Sequence, residues 1–235
     1  RMSLIEEGPE KQIRMANLAI TGSFSVNGVA EIHTELIKHK LVPDFYEMWP
    51  EKFNNKTNGV TPRRWLLLAD SSLARFITKH IGDKWITNLS ELKKLEPLAK
   101  KKDALIELDN IQQHAKERLA KFIEITTGIK INTHALFDCQ VKRIHEYKRQ
   151  LLNAMHIMND YFRIIEEGQM PAVPRVYFFS GKAAPSYKMA KLIIKLINNM
   201  SQIINNDPRV KDMIKVVFIP DYKVSVAEIV IPAAD

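Results

Sequence analysis

The amino-acid sequence predicts an α/β protein built on a parallel sheet, and three observations carry that expectation. Runs rich in β-branched and aromatic residues recur at residues 136–141, 175–179 and 214–219. The spacing between them is nearly constant. Each run is followed by a loop and then by apolar residues at helical spacing. Strands that alternate with helices at this interval define a right-handed βαβαβ unit with a parallel sheet. Its first helix carries Leu151, Leu152, Ala154, Met155 and Met158, and its second Met189, Ala190, Leu192, Ile193, Leu196 and Ile197. A third helix opens around Val224–Glu228.

Upstream the pattern is helical and less regular. A helix is expected over residues 3–16 and another over 29–38, where Val29, Ile32, His33 and Leu36 share one face. Residues 22–28 lie between them as a turn-rich loop. Asn58-Gly59 and Thr61-Pro62 mark turns, with a helix beginning near Pro62. Helices are expected around Trp65–Ala69, over 73–81, after a Ser90 cap, and over 104–126.

Bulk composition narrows the class. The chain has 235 residues, 46% hydrophobic and 26% charged, which is ordinary for a globular protein and argues against a disordered chain. No apolar run reaches the length of a membrane span, so no membrane association is expected. The first residues lack a signal-peptide layout and there is a single cysteine, Cys139, which points to a reducing, cytoplasmic setting. The chain opens inside a helical pattern and stops just after an apolar one, so it reads as an internal piece of a longer protein. A formal net charge of +8 admits an anionic partner, although most of the lysines are spread along solvated helices. Nothing interleaves aromatic with basic residues, so nucleic acid is not expected as a partner.

Ligands of open parallel sheets bind beyond the carboxyl ends of the strands. Each expected strand delivers a lysine there: Lys142, Lys182 and Lys223. The first loop adds Arg143 and, a turn later, Lys148. A phosphate dianion leaving water needs several cations and N–H donors around it, and helix N-termini add donors and a favourable dipole. One lysine after one strand is more often a solvated rim residue. Three successive strands with lysines, one of them followed by a dense basic cluster, favour an anion site. Spacing alone identifies neither the anion nor a reaction. The glycine-rich dinucleotide and P-loop patterns are absent, the histidines are too dispersed to hold a metal, and no serine sits in a nucleophile elbow. His145 could carry a proton or simply orient the loop.

Residues 141–153, Val-Lys-Arg-Ile-His-Glu-Tyr-Lys-Arg-Gln-Leu-Leu-Asn, resemble the hallmark segment of the α-glucan phosphorylases. Residues 54–65, 181–185, 205–208, 221–228 and 231–235 resemble further segments of that family in the same order, so the likeness spans the whole chain. The resemblance implies a partial two-domain glycosyltransferase fold of the GT-B type. Residues 1–59 would close the N-terminal, glucan-binding domain. Residues 60–235 would hold a helical segment and the first βαβαβ half of the C-terminal Rossmann-like, cofactor-binding domain.

The resemblance also implies an activity and a set of roles. The parent would be a homodimer that splits α-1,4-glucan ends with inorganic phosphate, releasing glucose 1-phosphate and using the phosphate of pyridoxal phosphate. Lys142 would contact the cofactor phosphate, and Arg143 and Lys148 would hold the substrate phosphate. Tyr147 would touch the sugar and Asn58 a glucose hydroxyl. Trp65 and Tyr222 would line the cofactor pocket, with Lys223 near the cofactor phosphate. The family's Schiff-base lysine belongs to a glycine-rich stretch beyond residue 235, so the chain by itself is expected to be inactive. Two alternatives are a non-catalytic anion- or glucan-binding module and a nucleotide-sugar glycosyltransferase of similar fold, although no ribose-binding acidic pattern accompanies the strands.

Overall fold

The computed structural model describes residues 2–235. The chain divides into two compact units, one ending at Thr61 and one running Pro62–Asp235. In the first, β1 (Ile5–Glu6) and β2 (Gln12–Ile13) pair antiparallel where a helix was expected over residues 3–16. The cause is local. Gly8-Pro9 falls in mid-segment, and proline in a helix interior lacks its N–H and clashes with the preceding turn. Helix α1 (Met15–Gly22) starts only after this reversal.

The expected loop at 22–28 contributes β3 (Val26–Gly28), which pairs parallel with β4 (Phe53–Asn55). Helix α2 (Glu31–Leu36) runs on into a π turn at Ile37–Leu41. Its buried residue is Thr34, whereas the expected apolar face of Val29, Ile32, His33 and Leu36 is exposed. Close packing selects this orientation. A Cβ on Gly28 would lie 2.2 Å from Thr34 Oγ1, so only a glycine lets strand and helix approach this closely. The Thr34 hydroxyl donates to Asn55 Oδ1 at 2.8 Å. Helix α3 (Pro43–Met48) begins with proline at its first turn. Phe45 on α3 packs with Ile20 and Phe53 to form the unit's small core.

The second unit opens with a π-helical turn at Arg63–Leu68. Helix α4 (Ser71–Ile81) follows, and the Asp70 carboxylate accepts the Leu73 N–H at 3.1 Å as its cap. The segment expected to start at Ser90 is instead 3-10 helical over Leu89–Lys100, capped by Asn88, whose side chain accepts the Ser90 N–H at 3.2 Å. Pro97 lies inside it and removes a donor that an α-helix would need. Helix α5 (Lys102–Thr127) then brings the chain to the sheet.

The sheet is the one expected. Strands β5 (Leu136–Val141), β6 (Arg175–Ser180) and β7 (Ile214–Ile219) lie in the order β5-β6-β7, all parallel. Helices α6 (Gln150–Glu167) and α7 (Lys188–Asn206) connect them, and α8 (Val224–Ala233) follows β7. Alternate strand residues face opposite layers, as the two-residue period of a strand requires. Tyr177, Phe179 and Val216 pack with Ala154, Ile157, Ala190, Ile193 and Ile197 from α6 and α7. Phe137, Val176, Phe178 and Val217 pack with Leu119 and Ile123 of α5 and with Val226 and Val230 of α8. Burying such a side chain contributes roughly 1.5–3 kcal/mol, so these two layers dominate the stability of the unit. Among the described residues no helix is long and apolar enough to cross a membrane.

Two of the segments that carry the family resemblance act as structural pins away from the strand ends. The Asn205 side chain donates to the Val216 carbonyl at 2.8 Å and accepts the Val216 N–H at 2.9 Å, satisfying the outer edge of β7 as a neighbouring strand would. Asp207 accepts the Arg209 guanidinium at 2.6 Å and the Tyr161 hydroxyl at 2.7 Å, and these bonds, Arg209 foremost, hold its carboxyl well below the usual carboxylate range. At the far end, the Asp235 carboxylate accepts the Phe137 N–H at 2.7 Å and the Lys116 ammonium at 2.6 Å. Lys116 is only 9% exposed, and its ammonium also donates to the Ala135 carbonyl at 3.0 Å. A charge this enclosed needs such partners.

Candidate functional site

Apart from Trp65, the candidate residues of the second unit lie on the loops that leave the carboxyl ends of β5, β6 and β7. Hydrogen bonding between the first two loops continues past the strands. The Lys142 N–H donates to the Ser180 carbonyl at 3.0 Å, and the Ile144 N–H to the Lys182 carbonyl at 3.1 Å. Gly181 makes this approach possible. A Cβ there would lie 1.9 Å from the Lys142 carbonyl oxygen, and its φ of 149° is one that side chains rarely adopt. Ser180 is buried and its hydroxyl donates to the Ile219 carbonyl at 2.6 Å, so it joins strand ends and is no nucleophile.

The loop after β5 carries the densest charge. Lys142, Arg143 and Arg149 are exposed and Lys148 is half-buried. Among the described residues, Lys142, Arg143 and Lys148 make no ion pair, and the Lys148 ammonium stands 5.5 Å from the Tyr147 ring centroid. Tyr147 itself is 70% exposed. What anchors the loop is Ile144, 2% exposed, which enters the core between these polar neighbours. A 3-10 turn at Glu146–Lys148 and a left-handed Arg149, φ 62°, lead into α6.

His145 takes the orienting position. Its Nδ1 accepts the Tyr147 N–H at 3.4 Å, and its ring packs against Tyr147 and Tyr187 with centroids 4.5 and 4.9 Å away. Tyr187, on the loop after β6, donates its hydroxyl to Glu146 Oε2 at 2.6 Å and accepts the Glu146 N–H at 3.2 Å. The bond to Glu146 raises the pKa of the Tyr187 phenol.

The other two predicted lysines meet at Asp221. Lys223 Nζ lies 2.8 Å and Lys182 Nζ 3.8 Å from its carboxylate, and these two cations hold the Asp221 carboxyl below its ordinary pKa, Lys223 foremost. An anion reaching Lys182 or Lys223 therefore competes with Asp221, a residue that the count of lysines passed over. Tyr222 is half-buried beside Cys139 and the end of β5, and burial raises the pKa of its phenol. Burial likewise pushes the Cys139 thiol up to about 12, so it stays protonated.

Trp65 lies half-buried on the π turn Arg63–Leu68. Arg64 beside it pairs with Glu228 on α8, which ties that turn to the helix following Tyr222 and Lys223. Arg63 donates to the Ile86 carbonyl at 3.4 Å, so both arginines have structural partners. A π turn widens the helix by one residue, a local distortion often kept at functional sites. Trp65 and Tyr222 are half-buried aromatic residues, and Lys142 and Lys223 are exposed cations, the side-chain types that a phosphorylated aromatic cofactor would need. Asn58 belongs to the first unit, where its N–H donates to the Val29 carbonyl at 2.9 Å and its side chain is exposed.

Two carboxamides that sequence reasoning left unassigned, Gln140 and Gln150, hold the loop's backbone, and a third, Asn153, holds Gln140. Gln150 donates to the Arg143 carbonyl at 3.0 Å and accepts the His145 N–H at 3.3 Å. Gln140 donates to the Lys148 carbonyl at 3.0 Å, and Asn153 donates to Gln140 Oε1 at 3.0 Å. The signal available in the sequence was their position: polar residues at a strand end and on the first turn of an apolar helix. A groove of about 540 Å³ runs along the outer edge of β7 past Lys130, Asn198, Gln202 and Lys215, and is lined by none of the candidate residues. Its Asn205 and Ser201 are already engaged with the Val216 carbonyl of β7.

The family model described as carbohydrate phosphorylase matches residues 1–235. The chain is 49% identical over 235 residues to a glycogen phosphorylase of Synechocystis sp., covering 100% of the chain and 28% of that protein. It is 54% identical to glycogen phosphorylase 2 of Dictyostelium discoideum over the whole chain and 24% of that protein. It is 50% identical to the liver-form glycogen phosphorylase of Homo sapiens over the whole chain and 28% of that protein. The chain thus spans about a quarter of the length of the curated relatives it matches.

Proposed function

The chain belongs to the carbohydrate phosphorylase family, and from that premise we propose that the protein containing it phosphorolyses the non-reducing ends of α-1,4-glucans to glucose 1-phosphate. The observation that carries this reading is the loop after β5, where Lys142, Arg143 and Lys148 stand on a hydrogen-bonded backbone without carboxylate partners among the described residues. The parent is a homodimeric glycosyltransferase of the GT-B type, acting in the cytoplasm.

Each residue has a task in this reading. Arg143 and Lys148 bind inorganic phosphate, the arginine through its planar fork and the lysine as a point charge. Lys142 binds the phosphate of pyridoxal phosphate, with Lys223 nearby, and Trp65 and Tyr222 enclose its ring. Pyridoxal phosphate, when bound, supplies a phosphate group that exchanges a proton with the substrate phosphate. The cations oppose the repulsion between the two phosphates. At an effective dielectric of about 20, unit charges 4 Å apart repel by about 4 kcal/mol, more than one surface lysine offsets. Arg143 and Lys148 also hold the substrate phosphate where it protonates the glycosidic oxygen and then traps the positively charged sugar. Tyr147 contacts that sugar and Asn58 a glucose hydroxyl.

The test is product analysis. The complete protein with pyridoxal phosphate and a maltooligosaccharide is expected to release glucose 1-phosphate only when inorganic phosphate is added. Release of free glucose without phosphate would refute the reading, as would strong glucan binding with no turnover at all, the behaviour of a non-catalytic module.

A further inference from the structure

We infer that Gln150, supported by Gln140 and Asn153, is a positioning residue for the phosphate-binding pair Arg143 and Lys148. The proposal deepens the reading above and rests on it.

The side chains that face the anion cannot hold themselves in place. Lys142, Arg143 and Tyr147 are exposed, and the loop has only one short 3-10 turn of regular structure. Its order has to come from its backbone. Gln150 is the first residue of α6 and is 0% exposed, an unusual place for a carboxamide unless both its groups are bonded. Both are: its amide donates to the Arg143 carbonyl and its oxygen accepts the His145 N–H. Four residues before and after Ile144, the second clamp closes. Asn153 fixes Gln140, and Gln140 donates to the Lys148 carbonyl. Of the loop's carbonyls, those of the two residues assigned to the substrate phosphate are each held by a side-chain amide.

The chemistry of the clamp suits an anion site. A carboxamide donates and accepts at once, so one side chain bridges a carbonyl and an N–H on the same loop. It is also uncharged at every working pH. A carboxylate in its place would draw Arg143 or Lys148 to itself and repel the phosphate. A cation would contribute charge without holding the backbone. Precise placement matters because small displacements of a binding group cost large factors in rate.

The experiment uses the complete protein with its cofactor, and compares KM for phosphate, KM for glucan, kcat and melting temperature. Gln150→Met keeps side-chain length and removes both hydrogen bonds. It is expected to raise KM for phosphate about tenfold, the worth of roughly one net hydrogen bond, with KM for glucan within about twofold. Gln150→Glu is expected to recover phosphate affinity as pH falls, because only the protonated carboxyl donates to the Arg143 carbonyl. Asn153→Ala breaks the second clamp at a half-buried position and carries the same expectation if the Gln150 variants fold poorly. Unchanged KM for phosphate in the folded variants, or equal rises for phosphate and glucan, would overturn the positioning role. Absence of phosphate-dependent turnover in the unmodified protein would instead overturn the functional reading on which it rests.

Discussion

Replacing Arg143 or Lys148 by alanine in the complete protein is expected to lower kcat/KM for phosphate by roughly 10²–10³-fold, the loss seen when one preorganised donor to a developing charge is removed. Glucan binding is expected to change little. The asymmetry follows from the structure. Both residues stand on the loop after β5 without an ion pair among the described residues, so neither stabilises the fold through a carboxylate that its loss would orphan. Arg143 is the more sensitive of the two, because lysine at that position restores charge and not the fork. Steady-state kinetics with each substrate varied in turn separates the effects. An equal loss for phosphate and glucan would count against the assignment.

The second large effect is steric. Gly181→Ala places a Cβ 1.9 Å from the Lys142 carbonyl oxygen, 2.7 Å from the Lys142 carbonyl carbon and 3.3 Å from the Arg143 N–H nitrogen, all of them backbone atoms. No flexible side chain is available to move aside, and the backbone at φ 149° is itself unfavourable for alanine. The loop after β5 must shift, which breaks the bonds from Lys142 to Ser180 and from Ile144 to Lys182. The cost is expected to be about 4 kcal/mol or more, in the range reserved for backbone strain and lost packing together. Urea denaturation of the variant measures it. A midpoint equal to that of the unmodified protein would show that the strand ends are not as tightly joined as described.

These two predictions draw on different levels of the sequence. Strands β5, β6 and β7 were legible because each is long enough to show β-branched and aromatic enrichment, and because a helix follows each at a regular distance. The paired strands at residues 5–6 and 12–13 were not, since two residues carry no period; the Gly8-Pro9 break outweighed the helical look of the flanking residues. The apolar face expected on α2 failed for a related reason: contact with Gly28 and Asn55 buries Thr34, a tertiary effect that spacing does not encode.

The site was legible in its charges and not in its scaffolding. Lys142, Arg143, Lys148, Lys182 and Lys223 stand out because cations after successive strands form a pattern. Gln140, Gln150 and Asn153 do not, because a glutamine at a helix start reads the same whether it faces solvent or clamps two backbone groups. Asp221 was hidden by its place within a motif, although its carboxylate is what Lys182 and Lys223 approach. Glu146 and Tyr187 form a hydrogen bond across 41 residues, a pairing that only the fold creates.

The position of the bound anions tests the central claim most directly. A crystal structure of the complete protein with pyridoxal phosphate and inorganic phosphate is predicted to show two neighbouring phosphoryl groups at the loop after β5. One should contact Lys142, and the other both Arg143 and Lys148. Anions bound elsewhere, with these three side chains extended separately into bulk water, would contradict it.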